Sequence, residues 1–121
     1  YDEDLAVLAQ QYSLPRLKGS TEIVIADALS YMEMNERSFD LICIDLFKDQ
    51  EIPEPFLTMS FLNNCRDALS ENGVLIMNTP GNTAVESRTS KDYFQKCFQK
   101  VFPGAQCLHL FKNEMLFSST Q

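Results

Sequence analysis

The chain has no tryptophan, one histidine and only four glycines in 121 residues. Gly73, Gly81 and Gly104 stand at predicted turns, and none belongs to a Gly-rich phosphate-binding pattern. The single histidine, His109, has no Ser or Asp motif beside it, so nothing points to a hydrolase triad. Its strand spacing with Cys107 and Phe111 reads as a packed or edge-strand residue. The four cysteines (Cys43, Cys65, Cys97, Cys107) never fall two to four positions apart, which excludes zinc-ribbon and thioredoxin patterns. Each sits among apolar neighbours, so buried, reduced thiols are expected, and with them a reducing compartment, the cytoplasm by default. No apolar run approaches the roughly 20 residues that a membrane helix needs. No basic leader followed by an apolar segment is visible, so no signal peptide is expected. Positive charge is scarce: Lys plus Arg is 10 against 17 for Asp plus Glu, a net charge of −7. Phosphate would be repelled, which disfavours nucleic acid as a partner. The first residue is Tyr1 rather than Met, so a processed chain or a piece of a longer one is expected.

What is present is the composition of one small folded domain. Hydrophobic residues are 45% and charged residues 22%, which is ordinary for a globular chain and wrong for a disordered one. The apolar pattern alternates between two periods. Leu5, Leu8, Ala9 and Tyr12 repeat at helical spacing, with Pro15 closing the segment. Residues 22–26 form a short β-branched run that reads as a strand, and Asp27 is placed to cap a helix over 28–34. The run 39–44 is apolar except for Asp40 and ends at Asp45, the pattern of a strand covered on both faces. Pro53 and Pro55 forbid regular structure in the next loop. Thr58 can cap a helix whose stripe is Phe61, Leu62, Cys65, Ala68 and Leu69. Asn72-Gly73 turns the chain into a buried strand over 74–77. Thr89 with Asp92 resembles a capping box for a helix carrying Tyr93, Phe94, Cys97, Phe98 and Val101, stopped by Pro103-Gly104. Strands over 105–111 and 114–118, separated by Lys112-Asn113, have hairpin spacing. This order predicts an α/β, Rossmann-like, mostly parallel sheet with helices on both faces and a C-terminal antiparallel hairpin.

In such sheets ligands bind at the carboxyl ends of the strands, where Asp27, Asp45 and Asn78 stand. Asp27 suits a plain helix cap, and equally a carboxylate that accepts a hydrogen bond from an amino group such as that of adenine; one oxygen can do each. Asp45 ends an apolar strand, so its charge must meet a cleft, a partner or solvent. There it could orient or deprotonate an amine, or bind a cation. Asp49 and Glu51 in the same loop read as solvated surface.

Taken together, these segments resemble the spermidine synthase family and its methyltransferase-like relatives, which share the class I S-adenosylmethionine-dependent fold. Tyr1-Asp2 with Leu5, Leu8, Ala9 and Tyr12, then Leu14-Pro15, is similar to the family's acidic strand end and following helix. Ala26-Asp27-Ala28 resembles its Gly-Asp-Ala element, whose Asp holds the adenine amino group. Phe39-Asp40-Leu41-Ile42-Cys43-Ile44-Asp45 is similar to its fourth strand, ending in the Asp that faces the reacting amine. Residues 53–56 with Thr58 and Phe61 resemble the approach to the next helix. Asn72-Gly73-Val74-Leu75 resembles its Pro-Gly-Gly-Val-Leu turn, and Phe102-Pro103 with Asn113-Glu114-Met115-Leu116-Phe117 its terminal hairpin.

The resemblance implies a transferase that moves an aminopropyl or methyl group from S-adenosylmethionine or its decarboxylated form to an amine or other nucleophile. It assigns Asp45 to catalysis and Asp27, Ala28 and Asp2 to the cofactor, with no metal. The chain would be the C-terminal two-thirds of that domain, the family's glycine-rich loop and first strand preceding Tyr1. Two positions depart from the aminopropyltransferase pattern. Lys48 stands where a second Asp helps bind the amine, and Asn78 replaces a Gln; putrescine is therefore expected to be a poor acceptor. The alternative is a non-catalytic structural or interaction domain that keeps the fold without the cofactor-binding loop. The expected partner is a small-molecule substrate, without nucleic acid or membrane. In the family's strand order two strands separate 22–26 from 39–44, so three outcomes are open. The two segments pair directly, a second chain pairs with the free edges as in a homodimer, or the residues are an excerpt of a larger ordered domain, the outcome expected here.

Overall fold

A computed structural model describes residues 3–119, so the expected cofactor ligand Asp2 lies outside the described residues. The first helical stretch is α1 (Glu3–Leu8), which loosens into a π-helical turn at Ala9–Ser13 and ends in a 3₁₀ turn, Leu14–Arg16, around Pro15. The periodicity correctly marks a helix, but its apolar stripe is not buried: Leu5, Leu8 and Tyr12 are all exposed. A short helix α2 (Ala28–Glu33) follows, then strand β1 (Phe39–Ile44), helix α3 (Met59–Asp67) and strand β2 (Leu69–Pro80). Helix α4 (Ala84–Tyr93) runs through a π-helical turn, Phe94–Phe98, into α5 (Gln99–Val101). Strands β3 (Gln106–Leu110) and β4 (Asn113–Phe117) close the chain.

The four strands form one α/β sheet in the order β1-β2-β4-β3. β1 and β2 are parallel, as their helical crossover requires, while β4 is antiparallel to both β2 and β3. In register, Ile42 faces Leu75, Ile44 faces Met77, and Met77 faces Leu116, so these side chains share one side of the sheet. On that side they pack with Phe61, Leu62 and Cys65 of α3 and with Phe98, Val101 and Phe102 into a single core. Leu62, Leu75, Met77, Phe98 and Leu116 have no solvent exposure. Each such side chain contributes about 1.5–3 kcal/mol relative to an exposed one.

Several expectations need correction. Residues 22–26 form no strand and join no strand pair among the described residues, and Val24 and Ile25 are about half exposed. A strand is stabilised by its ladder, and here a cavity lined by Val24 and Ala26 on one side and Ile42 and Cys43 on the other separates the segment from β1. The sheet has therefore not closed up on itself. β1 is covered on one face only, since Leu41 and Cys43 are exposed while Ile44 is buried. Cys43 is thus a free surface thiol, not a buried one. β2 is longer than its apolar centre: Leu69 pairs with Phe39 but Val74 with Leu41, so the strand advances five residues against two. The Asn72-Gly73 turn is absorbed as this bulge, where a Cβ on Gly73 would lie 2.8 Å from the carbonyl oxygen of Phe39. Helix α4 starts earlier than expected. Thr83 accepts from the Glu86 backbone N–H at 3.2 Å, while the Thr83 N–H donates to Glu86 Oε2 at 2.8 Å, a complete capping box. Thr89 instead donates its hydroxyl to Val85 O. The hairpin turn is Phe111-Lys112, one residue before the expected pair, with Phe111 at φ 57°.

Candidate functional site

The carboxyl ends of β1 and β2 lie side by side, and the loops leaving them shape two cavities. After β1, Asp45 stands exposed at the strand end. Asn78, near the end of β2, donates from Nδ2 to Asp45 Oδ1 at 3.1 Å. That bond fixes the amide orientation, because the reversed amide would set two oxygens against each other. The Asn78 Oδ1 is then buried with no hydrogen-bond partner.

The first cavity, about 350 Å³, lies between the 24–26 segment, α2 and β1. Its walls are largely apolar (Val24, Ala26, Ala28, Ile42, Leu46), and Asp45 and Tyr31 bring polar groups to its lining. Asp27 sits between the lining residues Ala26 and Ala28 but does not itself line the cavity. It caps α2 instead: Oδ1 accepts from the Ser30 N–H and from the Ser30 hydroxyl, each at 3.0 Å. Those two bonds, the backbone one foremost, hold the Asp27 carboxyl below the usual carboxylate range. Of the sequence-predicted residues, then, the fold brings Ala28 and Asp45 to one cavity and leaves Asp27 at its edge as a cap.

The second cavity, about 330 Å³, opens on the α4 side of the strand ends. Ile52, Leu57, Val85 and Tyr93 give it an apolar lining, and Glu51, Glu86, Thr79 and Ser90 add polar groups. Its rim includes a tight turn in which Lys48 N donates to Glu51 O at 2.8 Å and Glu51 N to Lys48 O at 2.9 Å. Asp49 and Gln50 at the tip take φ of 50° and 71°, a conformation uncommon for residues other than glycine. Sequence reasoning missed this turn, because Asp49-Gln50 carries neither the Asn nor the Gly that usually marks it. It also missed the wall residues Tyr31 and Met32, whose helical spacing from Ala28 was the available signal.

Among the described residues no group of His, Cys, Asp and Glu could hold a metal ion, and no helix is long and apolar enough to cross a membrane. The apolar walls of the first cavity, with the Asp27 carboxylate at its edge and Asp45 in its lining, suit a flat, mostly apolar base bearing an amino edge, with a second carboxylate left for another group. The chain's own residues thus fit the purine half of an adenosyl cofactor.

Comparison with known proteins agrees with this geometry. A family model described as the spermine/spermidine synthase domain matches residues 4–117. The polyamine aminopropyltransferase of Vibrio vulnificus is 27% identical over 108 residues, covering 84% of this chain and 36% of that protein. That of Clostridium botulinum is 34% identical over 80 residues, covering 62% of this chain and 28% of that protein. The chain therefore spans about a third of the length of the curated relatives it matches. Among solved structures, a spermidine synthase in complex with the transition-state analogue AdoDATO matches with a TM-score of 0.71 and 25% identity over 98% of this chain and 41% of that one. Human methyltransferase-like protein 13 in complex with SAH shares the fold, with a TM-score of 0.75 at 22% identity over 99% of this chain and 58% of that one. With its α/β sheet, its strand-end carboxylate and a family model matched along nearly its whole length, the chain belongs to the spermine/spermidine synthase domain family.

Proposed function

We propose that this chain is the C-terminal two-thirds of a spermidine-synthase-like domain. In the intact domain it would transfer an aminopropyl or methyl group from S-adenosylmethionine, or its decarboxylated form, to an amine. The observation that carries the reading is the cavity joining Ala28 and Asp45, in a chain of this family. Val24, Ala26, Ala28, Ile42 and Leu46 would hold the adenine, with the second oxygen of Asp27 accepting from its amino group. A sulfonium cofactor supplies an electrophilic carbon and a good leaving group, so the protein's work is mostly positional. Asp45, steadied by Asn78, would accept an N–H of the incoming amine, take its proton and aim its lone pair. Free thiols fit a reducing, cytoplasmic setting.

The test is a titration of the isotopically labelled chain with adenosine, followed by amide chemical shifts. Shifts confined to residues 24–32 and 42–46 are expected. No perturbation, or perturbation confined to α4, would overturn the assignment of the purine cavity and favour a non-catalytic domain. For the acceptor, Lys48 adds positive charge where recognition of a diamine needs negative charge. Putrescine should be a poor substrate of the complete protein, and Lys48→Asp should improve its use; efficient use of putrescine by the unaltered protein would refute this.

A further inference from the structure

Outside that site, one carboxylate is buried where the proposed chemistry does not need it. Glu114 lies on β4 with no solvent exposure, on the side of the sheet that carries the core. Four donors converge on it from two other elements. From α4 the Ser87 hydroxyl donates to Oε1, and Lys91 Nζ lies 3.5 Å from the same atom. From β3 the His109 Nδ1 bonds Oε1 at 2.9 Å and the Cys107 thiol points at Oε2 from 3.5 Å. With Glu114 ionised, His109 must carry its proton on Nδ1. The third neighbour, β2, presents Thr79, whose hydroxyl donates to the Glu114 carbonyl oxygen at 2.7 Å, and no ionisable group. Next along the chain, Ser90 of α4 donates to Pro80 O at 2.6 Å. A carboxylate this buried is costly unless it is fully bonded, and here its bonds reach both the helix and the hairpin.

We infer that Glu114 is a positioning residue, an anionic latch that seats α4 against the terminal hairpin and thereby sets the α4 wall of the second cavity. Val85, Thr89, Ser90 and Tyr93 form that wall, and Ser87 and Lys91, which the latch holds, lie among them in sequence. The inference does not depend on what fills either cavity. Burial alone would raise the Glu114 carboxyl, but the bonds from Ser87, His109 and Cys107 and the charge of Lys91 outweigh it and hold it below the usual carboxylate range. Because the folded value is depressed, the latch is complete above the unfolded value, near 4.3, and is lost as pH falls through the folded one.

Residue-resolved hydrogen exchange on the full chain tests this. Glu114→Gln should lower protection of the α4 amides about tenfold or more at pH 7, while the amides of Leu75 and Met77 hold, and should abolish the acid-dependent opening of α4. If that variant does not fold, Lys91→Met and His109→Leu each remove one donor and should move the midpoint of that opening up in pH. Unchanged α4 protection in Glu114→Gln, equal loss in every element, or an unmoved midpoint in the donor variants would overturn the latch.

Discussion

Gly81 joins the end of β2 to α4, and replacing it by alanine tests how tightly the strand end is held against the hairpin. A Cβ there would lie 2.8 Å from the carbonyl carbon of Asn113, 2.9 Å from the Glu114 nitrogen and 3.1 Å from Glu114 Cγ. Carbon atoms pack comfortably at about 3.5–4.0 Å, so the overlap with the first backbone atom is about 0.7 Å or more. Backbone held in a ladder cannot swing aside as a flexible side chain can. Relief requires parting β2 from β4, which stretches the Gly81 N–H bond to Lys112 O from its 3.0 Å and the Thr79 bond to Glu114 O. Overpacking of this kind costs about 1–3 kcal/mol, and a strained or lost hydrogen bond about 0.5–1.5. Alanine's restriction of the unfolded chain returns about 0.4–1 kcal/mol. The net expectation for Gly81→Ala is a destabilisation of about 0.5–4 kcal/mol, centred on about 2, read as a lower urea midpoint at unchanged slope. A variant within about 0.5 kcal/mol of the parent would show that the strand end is loose, and the close packing at Glu114 would lose its basis.

How much of this was legible from residues alone varied with the kind of signal. Helix α3 was legible in its start and its centre: Thr58 caps it (Phe61 N–H to Thr58 Oγ1, 3.2 Å) and Phe61, Leu62 and Cys65 of the expected stripe are buried on it, while Ala68 stands at its C-cap and Leu69 already belongs to β2. Asp45 was legible for a related reason: a charge that ends an apolar strand has few places to go. Residues 22–26 misled because β-branched composition reports what a segment would do beside a neighbour, and among the described residues no strand pairs with this one. The start of α4 was misplaced because two overlapping patterns compete, and Thr83 with Glu86 has the better partner for a capping box than Thr89 with Asp92. Glu114 escaped notice although a trace existed. It shares the alternation of Leu116, so a carboxylate stood on the buried phase of a strand. What the alternation could not disclose is that Ser87 and Lys91, more than twenty residues earlier, would supply the donors.

Leu62, with no exposure at the centre of the core, should cost about 2–5 kcal/mol when replaced by alanine; a urea midpoint shift equivalent to less than 1 kcal/mol would contradict the packing. Of the four thiols, Cys43 should react first with a disulfide reagent at pH 8. It is exposed, whereas burial pushes Cys65 up to about 12, and burial together with Glu114 pushes Cys107 up to about 11. Because Cys43 lines the first cavity, adenosine should slow its reaction, and labelling of Cys65 ahead of it would contradict the fold. The last prediction separates the two roles of Asp27. Asn at this position can keep the cap through its oxygen, but its second group becomes an amide donor, which would confront the adenine amino group donor to donor. Asp27→Asn should therefore leave α2 folded while weakening adenosine binding about tenfold or more, whereas Asp27→Ala should lose both cap and binding. The pH sense follows from the Ser30 bonds: with its carboxyl depressed, the cap is intact above about pH 4 and fails as pH falls through the folded value. In Asp27→Asn that acid fraying of α2 should vanish, because the amide does not titrate. Equal adenosine affinity in Asp27→Asn and the parent would show that the second oxygen meets no ligand and that Asp27 is a helix cap alone.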